Sequence, residues 1–565
     1  MGLTLGAVPA LAEKTPRFVE APALADAVTA TVKDCSANAT PLQVPMITWG
    51  GDIATIYANG NAAATTAGSL FFQNGMKLKL VREDVFANQL KAFLGCESPF
   101  LRGTMGMMQM AAEATEKDPR TKLSVIHQLT WSAGGDALVV KEGIKRPKDL
   151  KGKTVAVQAY GPHVDYLAKV LRDAGMSIKD VKIVWTKDLT GTSDSTPMAA
   201  MHAATVDAAM VIIPDALALT SRGTVGTGAE DSVKGARILL STKTASRVIA
   251  DVYAVRADFL KANRPAVEKF VRTLLLAQEQ LAGQVKKKGS ELSKTLTASA
   301  QMLLDSPQAV ADVEGMYADA HFAGWKGNVS FFTDANFPRG FGKVAAEMQT
   351  AMLGLGMNKK KVVLDAVKWN FNALKQGLTQ TEAVEAPRFD EKKVAPLVFS
   401  KAQSGQLAEG ELFSFEVHFK ANQNAFPAED YREPFSQAID LATTYGGALI
   451  TIEGHSDPLG YLKQKKAGNT PEAVITRVVQ AAKNLSLSRA NGVRDSLIKD
   501  AKKRGVRLDP SQFVIVGHGI SKPKSGMCGA DPCAPKTEQE WLSNMRVEFR
   551  ILQVEAEQSV FNPIE

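Results

Sequence analysis

The chain has 565 residues, of which 45% are hydrophobic and 22% are charged. This composition matches soluble globular proteins and excludes wholesale disorder and fibrous repeats. Lys and Arg number 67 against 59 Asp and Glu, a formal net charge of +8, which is too dilute over this length to indicate a nucleic-acid partner. No run of about 18 apolar residues occurs, so no transmembrane helix is predicted.

The first residues carry a possible export signal. Residues 1–12 end in Ala10-Leu11-Ala12, a small-x-small pattern after a short apolar stretch. Secretory signals are cleaved after such patterns, so residues 1–12 are predicted to be a signal remnant. An ordinary flexible N-terminus is the alternative.

The cysteines are four in number, which favours two disulfides in an exported chain. They are Cys35, Cys96, Cys528 and Cys533. The last two are close enough in sequence to clamp a short loop. Zinc is the competing interpretation for that pair, but it usually needs four ligands and no second cysteine pair is nearby.

Apolar patterns along the first part of the chain alternate between strand and helix, which predicts parallel sheets with helical crossovers. The stretch 290–377 is mostly helical in pattern. Strands are predicted at 44–49, 77–81, 122–126, 136–140, 154–158, 181–185 and 206–213, and helices at 84–94, 164–173, 197–204 and from Arg264 onward.

The chain divides near residues 380–410. The segment 382–396 has two prolines, dense charge and no clear period, as is typical of a linker. We therefore expect a first unit at 40–378, a linker at 379–409 and a second unit at 410–553.

Four short motifs in the first unit resemble, in their order, the periplasmic substrate-binding proteins of ABC transporters. They lie at 146–158, 160–163, 197–209 and 214–216. The subgroup is the nitrate, sulfonate, taurine and thiamine-precursor type. The resemblance implies an α/β fold of two lobes, a type II clamshell that closes about a hinge on a small ligand. The inserted lobe would lie at about 150–245.

Ligands of open α/β sheets bind beyond the carboxyl ends of the strands, where helix N-termini suit an anion. For three of the candidates that follow, an alternative role stays open: core packing for Trp49, helix capping for Thr104 and a solvated first turn for His163. The ligand and its charge stay open. The candidate ligand-binding residues are Trp49, Thr104, Tyr160, His163 and Asp215.

The second unit carries a more specific resemblance. Five short motifs occur in the order found in OmpA-like peptidoglycan-binding domains. They lie at 415–422, 449–457, 484–493, 514–519 and 544–550. The resemblance implies an α/β domain that holds peptidoglycan without a covalent bond. A helix is predicted from Asn491 to Ile498, with its apolar residues on one face.

In that family, the Asp of Gly-His-x-Asp and the Arg of Leu-Ser-x-x-Arg-Ala clasp the diaminopimelate of the wall peptide. The matching residues here are Asp457 and Arg489. A carboxylate and a planar guanidinium suit the ammonium and carboxylate that diaminopimelate carries on one carbon. A structural ion pair is the alternative. Asn422, Asn484 and Arg546 are weaker matches, and Arg546 orders either the site or the fold.

Two departures from the family pattern are present. The connection between Asp457 and Arg489 is longer than usual, and the Cys528–Cys533 loop is a second insert. His455, Asp457 and His518 are possible metal ligands by residue type, but they do not form a complete ligand set. No metal is predicted.

No Gly-x-Ser-x-Gly elbow, Walker loop or His-Glu-x-x-His motif occurs, so neither an enzyme nor a cofactor is predicted. The resemblances together imply a protein of the periplasm of a diderm bacterium, associated with the cell wall on the outer-membrane side. Three hypotheses compete. They are a solute receptor serving an ABC permease, a wall-bound sensor or scaffold without a transport role, and an enzyme built on the clamshell fold.

Overall fold

The computed structural model describes residues 15–37, 40–229, 231–379, 411–446, 448–529 and 531–552. The predicted signal remnant, 1–12, and the predicted linker beyond residue 379 lie outside these ranges. None of the helices in the described parts combines the length and apolarity needed to cross a bilayer.

Strands and helices alternate through most of the chain. The strands are β1 (Leu42–Met46), β2 (Leu78–Arg82), β3 (Phe100–Thr104), β4 (Leu123–Ser132), β5 (Asp136–Val140), β6 (Thr154–Gln158), β7 (Lys182–Thr186), β8 (Ala208–Ile212), β9 (Arg237–Ser241), β10 (Ala250–Arg256), β11 (Ala320–Phe322), β12 (Asp365–Ala366), β13 (Glu411–His418), β14 (Leu449–His455), β15 (Phe513–Gly519), β16 (Met527–Cys528), β17 (Asp531–Pro532) and β18 (Arg546–Leu552).

The helices are α1 (Leu24–Ala27), α2 (Asp52–Ala58), α3 (Leu70–Gln73), α4 (Phe86–Leu94), α5 (Met105–Thr115), α6 (His163–Asp173), α7 (Pro197–Met201), α8 (Ile213–Leu219), α9 (Ala257–Lys287), α10 (Ser290–Leu304), α11 (Val310–Asp319), α12 (Gly324–Thr333), α13 (Phe341–Leu355), α14 (Phe371–Leu374), α15 (Arg432–Thr444), α16 (Leu459–Lys466), α17 (Glu472–Lys503) and α18 (Glu538–Ser543).

The first lobe is built on a sheet of order β11-β4-β10-β3, with β12 beside β4 and the parallel pair β1-β2 next to it. Helix α9 covers this sheet with its apolar face. Phe270 of that helix lies 4.8 Å from Phe100, 5.6 Å from Phe71 and 5.4 Å from Tyr253 between ring centroids. Aromatic contacts of this kind stabilise a core beyond the area that they bury.

The second lobe is built on a sheet of order β7-β6-β8-β5-β9. Strand β6 is parallel to β7 and β8, whereas β5 is antiparallel to β8 and β9. The chain passes between the lobes twice, from β4 to β5 and from β9 to β10. The lobe therefore begins at Asp136, earlier than the predicted 150–245, because β5 pairs with β8 as soon as it leaves the first lobe.

The long helix of the first lobe begins earlier than its sequence pattern predicts. Proline at the first turn suggested a start at Arg264, but α9 begins at Ala257 and bends at Asn263, where φ is −127°. Pro265 follows this bend, as expected for a residue that removes one hydrogen bond of the helix.

The C-terminal unit is a separate sheet of order β13-β18-β14-β15. Phe415 stacks on Phe549 at 4.8 Å on its apolar face, and Val493 and Leu497 of α17 are fully buried. The helix predicted at 491–498 thus lies in the C-terminal half of a longer one. The extra residues after Asp457 form α16 and the first turns of α17. The predicted α/β class is confirmed.

Both predicted disulfides are present, as Cys35–Cys96 and Cys528–Cys533. The first belongs to a segment, residues 17–36, that we call the N-terminal strap. Val19 forms a β-bridge with Trp185 of the second lobe. At its other end, the strap is bonded through Cys35 to the first lobe, and the Cys35 N–H donates to Asp258 Oδ2 at 3.0 Å. The strap therefore contacts both lobes.

Candidate functional sites

The N-terminus of α5, in the first lobe, holds a carboxylate from the second lobe. Asp165, in the first turn of α6, is 1% exposed. Its oxygens accept hydrogen bonds from Thr104 Oγ1 at 2.9 Å and from the Gly106 N–H at 2.8 Å. Free N–H groups and the positive end of the helix dipole favour an anion at such a place. Burial nevertheless raises the pKa of Asp165 to about 7.

Thr104 performs two tasks there. Its hydroxyl oxygen accepts from the Met107 N–H at 3.2 Å, which caps α5, while its proton is donated to Asp165. The capping role named for Thr104 is thus present together with a polar role between the lobes. The sequence pattern did not indicate Asp165, because an acidic residue in the first turn of a helix is ordinary.

His163 is fully buried and contacts the segments that join the lobes. Its Nε2 lies 2.8 Å from Asp136 Oδ1 and its Nδ1 lies 3.1 Å from the Met210 carbonyl oxygen. Ser132 Oγ donates to the second oxygen of Asp136 at 2.5 Å. The alternative of a solvated first-turn residue is therefore wrong, because the helix turns His163 toward the sheet rather than toward solvent.

A buried charge cluster lies beneath Trp49. The Trp49 indole N–H donates to Thr130 Oγ1 at 3.0 Å, and that hydroxyl donates to Asp251 Oδ2 at 2.9 Å. Arg102, fully buried, pairs with Asp251 at 2.9 Å and with Asp52 at 3.0 Å. Burial raises the pKa of Asp52 to about 6, although Arg102 opposes this shift. Arg102 was not indicated by sequence, since it is a lone charge inside a buried strand.

The two remaining cleft candidates lie apart from the Asp165 contact. Tyr160 has a left-handed backbone, with φ +60°, and its hydroxyl donates to the Pro22 carbonyl at 2.7 Å. It therefore holds the N-terminal strap. Burial raises the pKa of Asp215, and His163 lies close enough to oppose this shift. Thr190 Oγ1 is 3.5 Å from Asp215 Oδ1, whereas Oδ2 is buried without a hydrogen-bond partner among the described residues.

A second site lies at the end of β14 in the C-terminal unit. The Arg489 guanidinium is fully buried and donates to three backbone carbonyls, those of Gln423 at 2.8 Å, His455 at 3.1 Å and Lys420 at 3.1 Å. It also lies over the Phe419 ring at 5.1 Å. Burial lowers the pKa of Arg489 to about 10. These contacts fix the plane of the guanidinium.

Asp457 lies beside this guanidinium. It is half-buried, its Oδ1 accepts from the Leu459 N–H at 3.0 Å, and its charge acts on Arg489. The two residues singled out from the motif, 32 positions apart in the chain by their numbers (489 − 457), are therefore near enough for their charges to interact, although no ion pair joins them among the described residues. The accessible half of this pair is the carboxylate of Asp457, which can pair with a cationic group, whereas the guanidinium is covered by the backbone that it holds.

The weaker matches do not share one location. Asn422 is exposed with a left-handed backbone, φ +55°. Asn484 is also exposed and accepts from Gln480 Nε2 at 2.8 Å. Arg546 lies instead on the open face of the sheet, where its Nε donates to Glu548 at 2.8 Å. Of its two predicted roles, the structure supports ordering of the fold.

Comparison with known proteins gives a match in the two-lobed part. Residues 105–284 match the family described as NMT1/THI5 like. The taurine-binding periplasmic protein of Escherichia coli is 28% identical over 178 residues, which are 31% of this chain and 49% of that protein. The chain thus matches about half the length of this curated relative. The family match ends before residue 411, so it does not extend to the C-terminal unit.

Solved structures similar to this chain include a binding protein and an enzyme. The periplasmic aliphatic sulphonate binding protein of Escherichia coli has 17% identity and a TM-score of 0.38, covering 61% of this chain and 96% of that one. A desulfurization enzyme has 16% identity and a TM-score of 0.36, covering 59% and 98%.

Proposed function

We propose that this chain is a periplasmic solute-binding protein that captures a small molecule with an anionic group between its two lobes, for an ABC-type importer, while its C-terminal unit holds peptidoglycan. The observation that carries the capture role is the carboxylate of Asp165 at the N-terminus of α5. The same donors, a backbone N–H and a hydroxyl, suit a sulfonate or carboxylate of a ligand. The similarity to a taurine-binding protein supports this ligand class.

Asp165 and the ligand anion would alternate at this place. Because burial raises the pKa of Asp165 to about 7, its anionic form is held weakly compared with the same group in water. A ligand anion that enters can therefore replace it as the lobes move apart and close again. The two crossings between the lobes supply the hinge for that movement.

Isothermal titration of the full chain with taurine and with short alkanesulfonates tests the capture role. We expect binding of at least one of them, weakened about tenfold or more in Thr104→Val, because a hydrogen bond to a charged group contributes about 1.5–3 kcal/mol. Thr196→Val is the matched control, since Thr196 is also buried and caps a helix, α7. Equal losses in both variants, or no binding of any anion by the natural chain, would contradict the proposal.

The attachment to peptidoglycan is supported by the fixed guanidinium of Arg489 beside Asp457. Purified sacculi containing diaminopimelate should retain the full chain in a sedimentation assay. Asp457→Asn and Arg489→Lys should release most of it, because the first removes the carboxylate and the second replaces the planar guanidinium and its forked donors with a single ammonium. Asp495→Asn and Arg494→Lys, more exposed residues of α17, should leave retention unchanged. Full retention of both site variants would refute the assignment.

A further inference from the structure

The polar face of the C-terminal sheet brings together two imidazoles and a carboxylate. Glu453 and His455 lie on β14 and His518 lies on the neighbouring parallel strand β15. One ligand atom from each of the three residues lies within 4.8 Å of the other two. Glu453 and His455 are 4% and 2% exposed, and His518 is half-buried. The cluster is thus largely shielded from water, unlike an ordinary group of surface charges.

The ring of His455 is oriented by a hydrogen bond on the far side from the cluster. Its Nδ1 lies 3.0 Å from the Lys522 carbonyl oxygen, and a carbonyl can only accept, so Nδ1 carries the proton. The lone pair is therefore on Nε2. This buried atom has no hydrogen-bond partner among the described residues. Histidines that bind metal ions are commonly held in this way, with one nitrogen donating to a carbonyl and the other facing the ion.

The other two groups lie next to that free nitrogen. His518 Nε2 is 2.8 Å from Glu453 Oε2, and the rings of His455 and His518 are stacked with centroids 5.1 Å apart. Glu548 Oε1 lies 3.8 Å from His455 Nε2. A metal ion between these atoms would take the place of the proton on His518 Nε2, which would move to Nδ1 through solvent.

We propose that Glu453, His455 and His518 bind a divalent transition-metal ion of the zinc type. Two imidazole nitrogens and one carboxylate are a common ligand set for zinc, and a water or Glu548 would complete four-coordination. Calcium and magnesium prefer oxygen ligands throughout. Donor atoms around a tetrahedral zinc ion lie about 3.4 Å apart, given bonds of about 2.1 Å. The present separations, from 2.8 Å up to 4.8 Å, bracket this value.

Nearby cations set a limit on the strength of this site. Arg546 pairs with Glu548 at 2.8 Å, and Arg550 Nε lies 3.7 Å from Glu453 Oε1. Their positive charges oppose a second cation. Both arginines are partly neutralised by Glu548. Exclusion of an ion by this pair is consequently one of the outcomes that the experiment measures.

A metal ion at this place would act on the second candidate site. The His455 carbonyl accepts from Arg489 Nη1 at 3.1 Å, and Asp457 follows two residues later. Fixing the His455 ring would thus fix the strand end that leads to Asp457 and that accepts from Arg489. This consequence rests on the proposed attachment to peptidoglycan, whereas metal binding itself does not depend on it.

Titration of the full chain, stripped of metal with a chelator, with Zn²⁺ and separately with Co²⁺ tests the proposal. We expect one equivalent of Zn²⁺ by calorimetry, a visible absorption band typical of four-coordinate Co²⁺, and a rise in the Tm of the C-terminal unit. His455→Gln and His518→Gln should each weaken binding at least tenfold. His418→Gln is the control, because His418 lies on β13 with a half-exposed side chain.

Two outcomes would overturn the inference. One is the absence of stoichiometric uptake by the natural chain. The other is an equal loss of uptake in His418→Gln and in the two site variants. Variants are compared only after circular dichroism in chelator shows the natural fold, and His518→Gln is the milder change because its ring is less buried. Since uptake is measured without sacculi, failure of wall attachment would leave this result unaffected.

Discussion

Charged side chains gather at two places in the molecule. One is the contact between the two lobes and the other is the C-terminal sheet, and the two places hold these side chains differently. Between the lobes, acidic groups from distant parts of the chain are buried and each meets a donor of the protein, as Asp165 meets Thr104. On the sheet, charges such as Glu453, Glu548 and Arg550 lie side by side because alternate residues of neighbouring strands share a face. Burial governs the first group, whereas mutual pairing governs the second.

The largest expected effect comes from comparing a fully buried arginine of the first lobe, Arg102, with Arg550 of the C-terminal sheet. Arg102→Ala should lower the free energy of unfolding by about 3–5 kcal/mol, because it leaves Asp52 and Asp251 buried without their cation. Arg550→Ala should cost about 1 kcal/mol, since its side chain is 23% exposed, two of its acidic partners, Glu411 and Glu548, are 21% and 13% exposed, and Glu548 keeps its pairing with Arg546. Denaturant unfolding, with the transitions of the two units followed separately, measures both. Equal losses in the free energy of unfolding of the two variants would contradict this difference between the two arginines.

The two disulfides allow the first lobe and the C-terminal unit to be compared by the stability that each bond contributes. Cys35 and Cys96 are separated by 61 residues, whereas Cys528 and Cys533 are separated by 5. Closing a longer loop restricts the unfolded chain more, so replacing the first pair with serines should cost about 4 kcal/mol and the second about 2 kcal/mol. Thermal and denaturant unfolding of the two double variants checks this order. A larger cost for the short loop would show that chain entropy is not the cause.

The smallest expected effect is an opposite response to pH. The pKa of Asp165 is raised by burial to about 7, so the folded state binds its proton more tightly than the unfolded state and this stabilisation is lost as pH rises from about 4 to 7. The pKa of Glu548 is lowered to about 2: Arg546 and Arg550 lower it, against the opposing effect of burial. That stabilisation is present above about pH 4.5 and is lost as pH falls toward 2.

Asp165→Asn and Glu548→Gln separate these two responses. In the presence of chelator, the free energy of unfolding of Asp165→Asn should rise by about 1–2 kcal/mol relative to the natural chain as pH goes from 4 to 7, because the amide imitates the protonated carboxyl group. Glu548→Gln should lower the free energy of unfolding by its full amount at pH 7 and by a smaller amount near pH 3. A pH-independent difference for both variants would contradict the assigned directions.

Local patterns were enough to predict many elements. Strands β5 and β6 were predicted with the bounds that the structure has, since each is a short apolar run between turns. The pairing of Asp457 with Arg489 at one binding site rests on a motif and stays a prediction. Helix ends were less well predicted, and α17 is far longer than 491–498, because a periodic pattern does not show where packing stops.

Contacts between distant residues could not be predicted in this way. Thr104 and Asp165 are 61 residues apart in the chain, and helical periodicity shows only which face is buried, not what it meets. Likewise, the hydrogen bond from Tyr160 to the Pro22 carbonyl could not be predicted, because the segment around Pro22 has no periodic pattern; the ligand role of Tyr160 stays a prediction. Charge buried by tertiary packing leaves no local signal, because its cost and its compensation arise in different parts of the sequence.

The N-terminal strap has a consequence for how ligand affinity can change. Val19 and Pro22 contact the second lobe, while Cys35 is covalently joined to the first. Any change in the angle between the lobes must therefore stretch or release these contacts, and the observed affinity includes that free energy. If the lobes close on a solute as proposed, evolution or design can tune how tightly it is retained by altering the N-terminal strap, without changing the residues that contact the solute.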